Sequence, residues 1–195
     1  AKIATIIGRY YAMDRDSNWE RTKSAYTAIV NRVGRKAKNF IEAIKRSYDE
    51  NIGDEFIVPT VIDIKTNKSF FSFVKNKNSD DNSGAVQKND GVIFFNIRPD
   101  RMRQIAEMFV FKKKEIGTEP VPNTDVLTLS TYNEYFPVKV AYPSVKIKDP
   151  LAKILSDNNI TQAHFAESEK YAHATYFFNG GNPEPFPGEK WILVP

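Results

Sequence analysis

The chain has 195 residues, room for one compact domain or for one domain and part of another, and such a length buries roughly 70% of the surface it would expose unfolded. Apolar residues make up 41% and charged residues 27%, with fourteen Phe and nine Tyr, which excludes a disordered chain and points to a ring-rich core. The absence of Cys excludes disulfides and thiolate chemistry, no apolar run approaches the roughly 20 residues that span a bilayer, and a net charge of +4 suits an anionic ligand without demanding nucleic acid.

Ile3 to Ile7 is a short β-branched run closed by Gly8 and reads as a buried strand. The first residues carry no signal-peptide pattern and begin on this strand without a methionine, so a segment of a longer protein is expected. Arg9 to Asp16 reads as a polar, aromatic loop, and a helix is expected from Ser17, which would cap it with Glu20 as the capping-box partner. Trp19, Thr22, Ala25, Tyr26, Ile29 and Val30 recur at helical spacing up to Gly34. A second helix is expected over Ala37 to Asp49, with Phe40, Ile41, Ile44 and Tyr48 on its apolar stripe.

Ile57 to Ile64 and Ser69 to Val74 read as strands, and Lys75 to Gly84 as a polar loop. Val92 to Phe95 is the clearest strand. A helix is expected after it, with Pro99 in the first turn, where a missing N–H costs nothing, and with Lys112, Lys113 and Lys114 as its solvated end. Val126 to Leu129 and Val138 to Tyr142 are further strands. Past a linker at Pro143 to Pro150, the pattern predicts a helix over Leu151 to Leu155, a strand-like Tyr171 to Phe178, a Gly180-Gly181 turn and a last strand at Trp191 to Val194. Alternating strands and helices make the fold class α/β, with a mixed sheet containing parallel members.

Two places share one layout, a strand, a loop with two arginines, then a helix: Arg9 and Arg15 in the first, Arg98 and Arg101 in the second. Ligands of open α/β sheets gather beyond the carboxyl ends of strands, where helix N-termini favour anions, and a guanidinium fork matches phosphate or carboxylate. The four arginines therefore read as an anion clamp. The same spacing also fits solvated arginines paired with Asp14, Asp16 or Asp100, and both readings stay open on spacing alone. Lys170 is a further phosphate-contacting candidate, and His173 and His164 read as structural before they read as acid–base groups or metal ligands.

The words themselves carry a resemblance. Gly8 to Asp16 (GRYYAMDRD) followed by Trp19-Glu20-Arg21, Phe94 to Arg101 (FFNIRPDR), Ala166 to His173 (AESEKYAH) and Phe177 to Gly181 (FFNGG) resemble, in order, stretches of the cofactor-independent phosphoglycerate mutases. Asp54 to Pro59 fits the same pattern. The resemblance implies a three-layer α/β/α substrate domain over residues 1–142 lacking its N-terminal part, a hinge at 143–150, and the start of the returning alkaline-phosphatase-like domain at 151–195.

It further implies an enzyme of glycolysis and gluconeogenesis that interconverts 3-phosphoglycerate and 2-phosphoglycerate through a phosphoserine, using two Mn2+ ions and no 2,3-bisphosphoglycerate. Carried over position by position, Arg9, Arg15, Arg98 and Arg101 match substrate-binding arginines, Asp100 orients them, and Lys170 reaches the phosphoryl group as the catalytic candidate. Metal ligands and the nucleophilic serine are expected outside these residues, so the isolated chain is expected to be inactive. Ser168 replaces a more usual Thr, and His164 stands where Arg is common. A cytoplasmic monomer acting on a small molecule, with no nucleic-acid or membrane partner, is the accompanying expectation. The alternative is a non-catalytic anion- or nucleic-acid-binding module.

Overall fold

The computed structural model describes residues 1–63, 84–145 and 147–195. The expected strand at Ser69 to Val74 and nearly all of the expected loop at Lys75 to Gly84 lie outside the described residues. The chain divides into two compact units, Ala1–Pro143 and Ser144–Pro195.

In the first unit, β1 (Thr5–Ile6), β2 (Arg35–Ala37) and β3 (Thr60–Ile62) form a mixed sheet in the order β1-β3-β2. β3 runs antiparallel to β1, with Thr5 opposite Val61, and parallel to β2, with Arg35 opposite Thr60. Its three β-branched residues are all buried, as befits a central strand. β1 is shorter than expected and only half-buried. A second, parallel sheet has the order β4-β5-β6, from β4 (Gly91–Phe94), β5 (Asp125–Ser130) and β6 (Lys139–Tyr142).

The core of this unit lies where α2 (Trp19–Val30) and α4 (Arg103–Val110) meet Phe94 and Val126. Ala25, Ala28 and Ala106 are fully buried, so these helices approach closely. Phe109 meets Tyr26 and Phe94 edge-on, with ring centroids 5.0 and 5.4 Å apart, the arrangement that ring quadrupoles favour. Each large side chain buried here contributes about 1.5–3 kcal/mol.

Several expectations are corrected. The loop after Gly8 contains a one-turn helix, α1 (Arg9–Ala12). α2 is not capped by Ser17: that residue adopts φ 63°, Asn18 is the N-cap, and its side chain makes no capping bond. Asp14 instead fixes the chain just before the helix, accepting from the backbone N–H groups of Asp16 (3.1 Å) and Asn18 (2.9 Å). α3 (Phe40–Asp49) starts later than expected, because Asn39 Oδ1 accepts from Glu42 N–H (2.9 Å) while Glu42 accepts from Lys38 N–H (3.0 Å), a reciprocal cap.

The expected apolar stripe of α3 is not its buried face: Ala43 and Ser47 are buried, whereas Phe40, Ile41 and Tyr48 are exposed. Small side chains let the helix settle against Ala37 and Ile62. α4 begins at Arg103; Pro99 belongs to a preceding turn, its carbonyl accepting from Met102 and Arg103 N–H. Nor are the lysines simply a solvated helix end. α4 stops at Val110, and Lys113 Nζ lies 4.0 Å from the Trp19 ring centroid while pairing with Glu107.

In the second unit, α5 (Leu151–Asp157) precedes a parallel pair, β7 (Gln162–Glu167) and β8 (Glu189–Val194), with Gln162 opposite Glu189 and Glu167 opposite Val194. The strand expected at Tyr171 to Phe178 is instead helical: α6 (Ser168–Ala172) runs into a π-helical turn, His173–Phe177. Thr175 is buried and bonds back to the Tyr171 carbonyl (2.7 Å), a helical i−4 contact that an extended chain cannot make. The expected turn follows, with Gly180 and Gly181 at φ 66° and 91°, left-handed values that side chains disfavour. No helix among the described residues is long and apolar enough to cross a membrane.

Candidate functional site

The two arginine loops meet in the first unit. The first leaves β1 through Gly8, whose N–H donates to the Ile57 carbonyl (2.8 Å). A Cβ at Gly8 would lie 2.4 Å from the Glu55 carbonyl oxygen, so only glycine lets the chain pass the Asp54–Phe56 turn so closely. Arg9, next along, pairs with the Glu55 carboxylate at 3.2 Å. Arg21 from α2 stacks over Tyr10, 3.9 Å from the ring centroid, and holds Asp14 at 3.3 Å.

The second loop leaves β4. Its course is held by side chains at and just past the end of β5: Tyr132, almost fully buried, donates its hydroxyl toward the Phe94 and Asn96 carbonyls, and Ser130 Oγ donates to the Ile97 carbonyl (2.7 Å). Asn96 Oδ1 accepts from Arg98 N–H (2.9 Å), closing an Asx turn. Arg103 Nε then ties the start of α4 to the Tyr132 carbonyl (2.8 Å).

Asp100 joins the loops. Its carboxylate accepts from Arg15 at 2.8 Å and from Arg98 at 2.6 and 3.1 Å, while Arg101 donates to the Met13 carbonyl (3.3 Å). The hydrogen bonds from Arg98 pull the Asp100 carboxyl down to about 2 against the upward push of burial, and Arg15 adds to the lowering. Two guanidinium groups thus share one carboxylate, and a third, from Arg101, ties the second loop to the backbone of the first. The Arg15 and Arg98 side chains stay 40% and 60% exposed, so N–H donors not spent on Asp100 face solvent. Such a cluster can grip a small anion carrying more than one charge.

The structure therefore brings Arg15, Arg98, Asp100 and Arg101 together and gives Arg9 a separate partner in Glu55. Lys170 belongs to the second unit, exposed on α6, and its side chain has no hydrogen-bond or ion-pair partner among the described residues. His173 lies in the π-helical turn, its ring 5.4 Å from Phe177. His164 stands on β7, 3.0 Å from Gln162 Oε1 and 3.5 Å from Glu189. Among the described residues no three His, Asp or Glu side chains cluster as metal ligands would.

Sequence reasoning missed Gln104 and the buried role of Asp14. Gln104 Nε2 donates to Asp14 Oδ1 and Thr22 Oγ1, both at 3.0 Å, and its Oε1 accepts from Ser17 N–H at 2.9 Å. The available signal was a polar residue beside Ile105 on the apolar face of α4. Burial pushes the Asp14 carboxyl up, but hydrogen bonds from Asn18, Gln104 and Asp16 more than offset this, and its pKa falls below the ordinary value.

Comparison with known proteins agrees with this architecture. The family model described as BPG-independent PGAM N-terminus matches residues 1–134, and that of the Metalloenzyme superfamily matches residues 81–195. The chain is 47% identical to a 2,3-bisphosphoglycerate-independent phosphoglycerate mutase of Thermomicrobium roseum, over 99% of this chain and 35% of that relative. It is 40% identical to the protein of the same name in Chloroflexus aurantiacus, over 99% of this chain and 37% of that one. A crystal structure of Leishmania mexicana phosphoglycerate mutase at low cobalt concentration superposes with a TM-score of 0.66, over 98% of this chain and 34% of that chain. At 22% identity that likeness speaks to the fold. The chain spans about a third of the length of the curated relatives it matches. With the family model covering most of its residues, the chain belongs to the BPG-independent phosphoglycerate mutase N-terminus family, and its later part to the Metalloenzyme superfamily.

Proposed function

We propose that this chain supplies the substrate grip of a mutase that interconverts 3-phosphoglycerate and 2-phosphoglycerate through a phosphoserine. The observation that carries the reading is the meeting of Arg15 and Arg98 on Asp100, beside Arg101, with donors left open to solvent. Glycerate must be retained while its phosphoryl group is parked elsewhere, and paired guanidinium forks hold a carboxylate or phosphate in one orientation. Asp100 acts as an internal counter-anion that keeps the two arginines side by side before substrate arrives. Arg9 is proposed to join them from α1, and Lys170 to reach the phosphoryl group, where a fixed cation offsets charge spread over the transferring oxygens. Support for Lys170 is its match to the family stretch and its unpaired, exposed position.

Residues 1–142 are proposed as the substrate domain, 143–150 as the hinge and 151–195 as the start of the returning phosphatase-like domain. Metal dependence follows from the superfamily; two Mn2+ ions, held by residues outside this chain, are the proposed form. A monomer working in the cytoplasm, without nucleic-acid or membrane partners, completes the proposal. The test is an enolase-coupled assay of 3-phosphoglycerate turnover by the full-length gene product with added manganese. Arg98→Ala should lower kcat/KM by about 100-fold or more. Turnover unchanged by Arg98→Ala and by Arg15→Ala would remove the grip from this site.

A further inference from the structure

The grip needs Arg15 and Arg98 held at one spacing, yet they arrive on loops far apart in sequence. Asp100 alone sets that spacing poorly, because its partners' side chains are 40% and 60% exposed and such pairs contribute little by themselves. A second link lies beneath it. Gln104 is 7% exposed and Asp14 is 5% exposed. Through its two amide N–H bonds the Gln104 side chain holds Asp14 and Thr22, and through its oxygen it holds the Ser17 backbone. Asp14 and Ser17 bracket Arg15, while Gln104 stands three positions after Arg101 at the start of α4.

We infer that Gln104, acting through Asp14, is a positioning residue that sets the register of the Arg15 loop against the Arg98–Arg101 loop. The inference rests on the grip proposed above and assigns Gln104 no contact with substrate. Its chemistry is specific to an amide. A carboxylate here would face Asp14 with like charge and lose the donors, and an apolar side chain would take one donor from the buried Asp14 carboxylate, one from the buried Thr22 hydroxyl, and the acceptor from Ser17 N–H, so that nothing ties the Arg15 loop to α4 at this point. A purely structural residue would also be missed by folding if removed. A positioning residue must in addition lose its effect once the arginine it positions is gone.

The test measures steady-state turnover of 3-phosphoglycerate by the full-length gene product with Gln104→Glu and the apolar near-isostere Gln104→Met, each alone and combined with Arg15→Ala. At pH 8, Gln104→Glu should raise KM about tenfold, and in the Arg15→Ala background the same change should add less than about twofold. The charged groups around the introduced carboxylate are Asp14 and, across it, Arg21. As pH falls toward 6 the paired carboxylates take up a shared proton, a donor returns, and the variant-to-parent KM ratio should narrow. Gln104→Met has no such group, so its ratio should stay flat, and its coupling to Arg15→Ala stands in if Gln104→Glu fails to fold. A parent-like KM for folded Gln104→Glu or Gln104→Met, or an undiminished effect beside Arg15→Ala, overturns the inference. An Arg15→Ala variant that itself turns over normally would instead sink the grip.

Discussion

Replacing Asp14 with Ala removes a buried carboxylate that accepts from Asp16 N–H, Asn18 N–H, the Asn18 amide, Gln104 Nε2 and Arg21. Asp16 and Asn18 are exposed, so their donors recover water, whereas Gln104 is buried and its freed N–H does not. A stranded buried donor costs about 1–3 kcal/mol, and lost hydrogen bonds to a charged acceptor add about 1 kcal/mol each after water replaces them. With four such bonds the sum is about 5–7 kcal/mol, a large share of the ~5–15 kcal/mol that stabilises an ordinary domain. Urea unfolding of Asp14→Ala and parent, followed by circular dichroism at pH 7, reads this directly. The effect also has a pH signature. The folded pKa of Asp14 lies below its ordinary value, so the unfolded chain binds the proton first as pH falls. Its stabilisation is complete above pH ~4 and is lost as pH drops through the folded value, so the gap between parent and variant should narrow there. A midpoint within about 0.5 kcal/mol of the parent at pH 7 would refute the assignment of Asp14 as the buried hub of this loop.

Gly8→Ala should destabilise the first unit by about 3 kcal/mol or more, because the added methyl meets backbone atoms of Glu55 and Ile57 that cannot rotate away; an unchanged urea midpoint would show that the Asp54–Phe56 turn yields instead. Carbon-detected NMR titration of the Asp100 carboxyl should give a midpoint near about 2. That midpoint should rise toward the ordinary carboxylate range in Arg98→Ala, and by less in Arg15→Ala, with no rise in either ruling out the shared ion pair. In the second unit, Glu189 accepts from the Asn179 amide (2.8 and 3.0 Å), Phe186 N–H (2.8 Å) and the Trp191 indole. Glu189→Gln turns an acceptor into a donor among donors, so a loss of about 2–4 kcal/mol and a weakened near-ultraviolet signal from Trp191 are expected on melting; a parent-like melt would count against this network.

The chain's own order of residues determined the helix α2, the strands β4, β5 and β6, and the placing of two arginine pairs between strand and helix. Each carries a period of its own, or a motif that needs no distant partner to be recognised. The site residues could be named by resemblance for the same reason: GRYYAMDRD and FFNIRPDR are contiguous words. What failed were assignments whose outcome depends on what lies across the fold. α1 is a single turn, too short to show a period. α3 has a strong apolar stripe, yet it packs through Ala43 and Ser47, because approach to a sheet is limited by side-chain size as well as driven by apolar area. Tyr171 to Phe178 is dense in aromatics without alternation, and the buried Thr175 and the turn at Gly180 decide for helix. The deepest gap is the link between Gln104 and the Asp14 loop, whose partners stand about ninety positions apart. Neither residue announces the other locally, since a buried amide and a buried carboxylate are tolerable only as a pair, and only the folded chain shows that the pair exists.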